Sequence, residues 1–214
     1  MSTEQVKSFL GKFKKPPRSL TLEECLRLLE KLTRHHNTDP SRRASIRNRL
    51  IALVMLDAGL RVGEALQLQI DDLLIDEKPV TSLQVRGDIA KGGEERHIKT
   101  TEPLRAAINA AWLFIWAPDK RMPDTYAFYS GKKQTHLAYQ HVERILQKAG
   151  RKACHRRVTP HMLRHTFGTR LMRVTNIRVV QQLLGHKRLS STQIYTHPDQ
   201  EDQDKAIDGM PTGT

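Results

Sequence analysis

The sequence predicts a mainly α fold with one small three-stranded antiparallel sheet. Apolar residues recur at helical spacing through most of the chain, capping signals bracket those stretches, and only the block 73–99 alternates like strands. With 214 residues, 38% of them hydrophobic, the chain suffices for one ordinary domain with a buried core.

Thr21 can cap a first helix, Glu24 completes a capping box, and Leu20 with Cys25 supplies a hydrophobic staple. Leu22, Leu26, Leu29 and Leu32 are expected to form its buried stripe, and the helix should end near His36. A second helix starts around Ser41 with a basic first half, Arg42-Arg43 through Arg49, and continues along the apolar run 50–56 to Gly59, a residue suited to a left-handed cap. Strands follow at 73–75, 80–86 and 95–99, with Lys91-Gly92-Gly93 turning the chain between the last two. Helical patterns resume at 102–116, 136–149, 160–174 and 177–184, and a short piece at 191–195 closes the body.

Charge points to a polyanionic partner. The 36 Lys and Arg outnumber the 23 Asp and Glu, for a formal net charge of +13. Because the stretch 199–214 is acidic, residues 1–198 carry +17. Nucleic acid is the leading partner and an anionic membrane surface the second. No apolar run reaches the ~20 residues a membrane-spanning helix needs, and the first twenty residues lack the apolar stretch of a secretory signal. Cys25 and Cys154 do not suggest a disulfide framework, so a reducing, cytoplasmic setting is expected. Lys12, Lys14 and Lys15 beside Pro16-Pro17 read as part of a basic arm, residues 1–19, ahead of a body at 20–197 and an acidic tail at 198–214.

The chemistry concentrates in four blocks. In Thr159-Pro160-His161-Met162-Leu163-Arg164-His165, the threonine caps, the proline takes the first helical position, and His161 and Arg164 fall on one face of the first turn, where anions are attracted. Gly59-Leu60-Arg61-Val62-Gly63-Glu64 sets another arginine between two helices, with Glu64 one turn on to buttress it. His186 follows the helix-ending Gly185, and Tyr195 comes nine residues later. Taken singly, each has a plainer role: a surface ion pair, a partner for a helix dipole, a core aromatic. His161 and His165 have the i, i+4 spacing of zinc ligands, but Met162 stands where a zinc protease needs glutamate and Arg164 would repel the metal, so His165 reads as a buried structural histidine.

Together the four blocks resemble the catalytic domain of the tyrosine recombinase (phage-integrase) family, in order and spacing, from about Leu20 to His197. The resemblance implies the DNA breaking-rejoining fold of that family and a cytoplasmic protein of bacterial, archaeal, phage or plasmid origin. It implies that Arg61, Arg164 and His186 grip a scissile phosphate, that Lys91 is the general acid, with Lys99 its nearest competitor, that His161 accepts a proton and that Tyr195 attacks. A 3′-phosphotyrosyl intermediate then conserves bond energy, so no cofactor, neither ATP nor metal, is implied. The implied partners are double-stranded DNA, further copies of the chain in a tetramer on DNA that is monomeric in solution, and an accessory DNA-binding protein.

Full-length members carry a separate helical DNA-binding domain before the first catalytic helix. With about twenty residues ahead of Thr21, the sequence is similar to the single-domain recombinases that invert fimbrial promoter segments. Lys12, Lys14, Lys15, Arg42, Arg43 and Arg47 are expected to add phosphate contacts. Two alternatives share these residues: a catalytically idle DNA-binding regulator, and an enzyme of the type IB topoisomerase or telomere-resolving kind.

Overall fold

The structure, a computed structural model, describes residues 19–33, 39–130 and 133–185. Its helices are α1 (Leu22–Leu32), α2 (Asp39–Leu56), α3 (Val62–Leu66), α4 (Glu102–Ala111), α5 (Tyr139–Cys154), α6 (Pro160–Met172) and α7 (Ile177–Leu184). A π-helical turn, Trp112–Trp116, extends α4. The strands form three separate antiparallel pairs: β1 (Leu74–Ile75) with β2 (Lys78–Pro79), β3 (Ser82–Val85) with β4 (Arg96–Lys99), and β5 (Tyr129–Ser130) with β6 (Lys133–His136).

The centre is α2. Every residue from Leu50 to Leu56 is buried, which is why that stretch is apolar all round. It is enclosed by α1, α4, α5 and α6. Its exit is fixed at Gly59, whose φ of +62° belongs to the left-handed region, and the Leu60 N–H closes back onto the Val54 carbonyl at 3.1 Å. A Cβ at Gly59 would lie 2.2 Å from Cδ1 of Phe167, so α6 packs against bare backbone there.

The capping box of α1 forms as expected: Thr21 Oγ1 accepts the Glu24 N–H at 3.1 Å and Glu24 Oε2 accepts the Thr21 N–H at 2.9 Å. Arg156 reaches the same carboxylate at 2.8 Å, tying the turn after α5 to this cap. The stripe is rotated from the expected one. Cys25, Leu28 and Leu32 are buried and Leu29 packs beside them, while Leu22 and Leu26 are 68% and 60% exposed. The helix stops at Leu32, capped by Thr33.

The expected three-stranded sheet divides because the chain reverses earlier than its glycines suggest. Asp76 and Glu77 both take positive φ, 49° and 60°, and make a two-residue hairpin without glycine. Pro79 then offers no N–H to a further ladder. The β5–β6 pair occupies the start of the helix expected at 136–149, and α5 begins at Tyr139 and runs on to Cys154. Gly150, one residue beyond the expected stretch 136–149, lies inside α5, where a Cβ would meet Val158 Cγ2 at 2.5 Å.

Substituting Gly59 tests this framework. A left-handed alanine costs about 1–2 kcal/mol and intrusion into a packed ring about 1–3. Gly59→Ala should therefore lower unfolding free energy by about 2–5 kcal/mol in urea titration.

Candidate active site

Glu64 is 2% exposed and carries the charge on which the site is organised. It lies one turn into α3, and its Oε2 accepts the backbone N–H of Arg61 at 2.8 Å, capping the helix that follows the Gly59 turn. Its Oε1 accepts from Nη1 of Arg61 at 2.8 Å, the contact expected from the sequence. A second guanidinium arrives from β4: Arg96 places Nη2 at 2.7 Å from Oε2 and Nη1 at 3.4 Å from Oε1. A third comes from α6, whose Thr159 cap and Pro160 start match the sequence reading, with Nη1 of Arg164 at 3.6 Å from Oε2.

These arginines have a second set of acceptors. Arg96 Nε donates to the Leu183 carbonyl at 3.0 Å, Arg164 Nη2 to the Leu184 carbonyl at 2.5 Å, and Arg61 Nη2 reaches the Gly185 carbonyl at 3.5 Å. Three successive carbonyls at the end of α7, the negative pole of that helix, thus each meet a different guanidinium. Arg164 also donates to the Gly59 carbonyl at 2.6 Å, joining α6 to the α2 exit. The last residue of this constellation is Gly185, with φ +60°; His186 comes next in the chain.

Burial alone would lift the Glu64 carboxyl, but the hydrogen bond and charge of Arg96, the Arg61 N–H and the charge of Arg164 together bring its pKa down to about 2. His161 opens to solvent at the rim. The protein packed around its imidazole lowers the pKa, and the charges of Arg164 and Arg61 lower it further. It is therefore a neutral ring, a proton acceptor, at neutral pH. His165 is 6% exposed, its Nδ1 3.0 Å from Thr169 Oγ1, in line with a structural histidine. Lys91 is exposed, and its backbone N–H lies 3.4 Å from Glu64 Oε1; Lys99 sits at the opposite end of the hairpin, paired with Ser82.

The structure thus brings Arg61, Glu64, Arg164, the Lys91 turn and His161 together. His186, Tyr195, Lys12, Lys14, Lys15, the expected piece at 191–195 and the acidic tail lie outside the described residues. On α2, Arg42 stacks over the Phe114 ring at 3.9 Å and Arg43 pairs with Asp119 at 2.5 Å. Arg47 is half-buried, bonds Asn48 Oδ1 at 3.0 Å and lines a cavity of about 490 Å³ with Arg121 and Tyr129. Arg96 is the residue that sequence reasoning missed. Its signal was period-two alternation: it shares the inward face of β4 with Ile98, and an inward-facing arginine requires a buried carboxylate.

A model of the phage integrase family matches residues 18–202. The chain belongs to that family. Among phage-integrase relatives, the tyrosine recombinase XerA of Pyrococcus furiosus is 38% identical over 181 residues, covering 84% of this chain and 57% of that protein. The chain therefore spans little more than half the length of this curated relative. A crystal structure of XerA recombinase matches with a TM-score of 0.70 at 29% identity, covering 92% of this chain and 67% of that one. XerH site-specific recombinase bound to difH substrate, a pre-cleavage complex, matches with a TM-score of 0.68 at 26% identity, covering 94% and 56%. Among the described residues, no helix is long and apolar enough to cross a membrane.

Two measurements probe the charges of the site. The depressed pKa of Glu64 gives stability that is present above pH 4.5 and lost as pH falls toward 2, on the order of 3 kcal/mol. Urea unfolding between pH 5 and 2 should show that loss, and Glu64→Gln, already weaker at pH 7, should show less of it. In an NMR titration the His161 imidazole should have its midpoint below 6.5, and Arg61→Gln should move it upward.

Proposed function

We propose that this chain is a site-specific DNA recombinase or integrase that cuts and rejoins duplex DNA through a 3′-phosphotyrosyl intermediate. The observation that carries the reading is the gathering of Arg61 and Arg164 on one buried carboxylate beside the α7 terminus. The family membership and the DNA-bound XerH relative support it.

Displacement at phosphorus builds negative charge on the non-bridging oxygens. Guanidinium donors fixed beforehand stabilise that charge more than the ground state. Arg96 offsets the charge of Glu64, and the two positive charges of Arg61 and Arg164 remain for the phosphate. Glu64 restrains the arginines from recoiling from one another and sets their donors before DNA arrives. In this mechanism His161 takes the phenol proton of Tyr195, the phenolate oxygen bonds to phosphorus, and the bond to the 5′-oxygen breaks. Lys91 gives that oxygen its proton, and His186 adds a donor to the phosphate. The covalent link keeps the energy of the broken bond, so rejoining needs neither ATP nor a metal ion. The DNA contacts beyond the phosphate are assigned to Arg42, Arg43 and Arg47 of α2 and to Lys12, Lys14 and Lys15, with strand exchange in a tetramer on the duplex.

Nicked duplexes bearing candidate sites from the gene's own neighbourhood test the chemistry. The protein should form a denaturant-resistant adduct, and Tyr195→Phe should abolish it while leaving DNA binding intact. Binding with no adduct would indicate an idle regulator, and supercoil relaxation without a defined site would indicate a topoisomerase-like enzyme.

A further inference from the structure

The connection from β3 to β4, residues 86–95, carries Lys91 near its tip and is clamped on both limbs by an arginine on a carboxylate. On the outgoing limb, Arg86 Nη1 lies 2.6 Å from Asp72 Oδ2, and its Nε lies 3.2 Å from Asp88 Oδ1. On the returning limb, Arg96 lies 2.7 Å from Glu64. Between the clamps the limbs pinch so closely that a Cβ on Gly87 would come within 2.9 Å of the Gly93 carbonyl oxygen. The tip, Lys91 to Gly93, stands open to solvent.

Arg96 is more buried than Arg61 and holds Glu64 more closely than Arg164 does. Its side chain is 7% exposed, against 25% for Arg61, and its donors are spent on Glu64 and the Leu183 carbonyl. Arg164 is as deeply buried, but its Glu64 contact is the long one, 3.6 Å. Arg96 also touches the oxygen that orients Lys91: Glu64 Oε1 has the Arg96 Nη1 and the Lys91 backbone N–H at the same 3.4 Å. The same guanidinium abuts the α7 cap, where a Cβ on Gly185 would lie 3.1 Å from Nη1.

We propose that Arg96 is a positioning residue for Lys91, locking the Glu64 carboxylate and the start of β4 so that the lysine turn is presented at one place beside the phosphate. The inference rests on the reading of Lys91 as the proton donor. In that step the P–O5′ bond breaks, its electron pair stays on the 5′-oxygen, and Lys91 Nζ transfers a proton to it. A 5′-bridging sulfur leaves as a stable thiolate and needs no proton, so a lost or misplaced acid is harmless on such a substrate.

The experiment compares a duplex that the unaltered protein cuts with the same duplex carrying sulfur at the scissile 5′ position. Adduct formation is followed in single turnover with full-length protein. Arg96→Gln should slow the oxygen substrate about 10²-fold, the scale of lost general-acid catalysis. It should cut the sulfur substrate within about 3-fold of the unaltered rate, a recovery that scales with the acid's share of the step. Lys91→Ala should behave likewise, whereas Arg61→Ala should stay impaired on both. Should Arg96→Gln fail to fold by circular dichroism, Arg96→Lys decides. It keeps the charge but cannot bridge Glu64 and the Leu183 carbonyl together, and it should show the same sulfur-specific recovery. Equal loss on both substrates in a folded Arg96 variant, or no loss on oxygen, overturns the proposal. If Lys91→Ala is rescued and Arg96→Gln is not, only the role of Arg96 falls. If Lys91→Ala is not rescued, the proton-donor reading falls and this inference with it.

Discussion

A carboxylate removed from water must be paid for in ion pairs, and Glu64 is such a group. Its partners come from the α2–α3 junction, from β4 and from α6, so the condition that this one charge be neutralised fixes the relative placement of three distant stretches of chain. Removing a partner from a buried pair of this kind typically costs about 3–5 kcal/mol. The same arrangement serves binding: it leaves an excess of positive charge on donors already fixed in place, which is what preorganisation requires.

The scaffold meets this demand with an apolar helix and a bare turn. Buried from Leu50 to Leu56, α2 acts as a rigid rod, and the glycine at its exit lets the Phe167 ring approach the backbone. Arg164, on the same helix as Phe167, then reaches the Gly59 carbonyl. Packing and the arginine cluster therefore share a surface: Phe167 and Arg164, one turn apart on the buried part of α6, both meet Gly59, and Arg164 goes on to the carboxylate.

Local signals in the sequence resolved into structure wherever the physics was local. The Thr21–Glu24 capping box, the Thr159-Pro160 start of α6 and the Arg61–Glu64 pair each lie within one helical turn and appear as expected. What failed depended on partners far along the chain. Leucines on both sides of α1 made two stripes equally apolar, and only contact with the body chose Cys25, Leu28 and Leu32 over Leu22 and Leu26. The hairpin at Asp76-Glu77 lacked the glycine that advertises such turns. Arg96 was hidden for the same reason: its carboxylate lies 32 residues earlier, and an arginine in a basic chain attracts no notice until its strand face is known.

The carbonyls of Leu183, Leu184 and Gly185 have a consequence for how attack is separated from grip. With each one moored to an arginine, Gly185 is held as a stationary post, and Tyr195 follows it by ten residues in the sequence. Under the proposed mechanism, residues inserted between that post and Tyr195 would change the effective concentration of the phenol at the phosphate, as the length of a tether does. Such an insertion would leave the arginine cluster around Glu64 as it is.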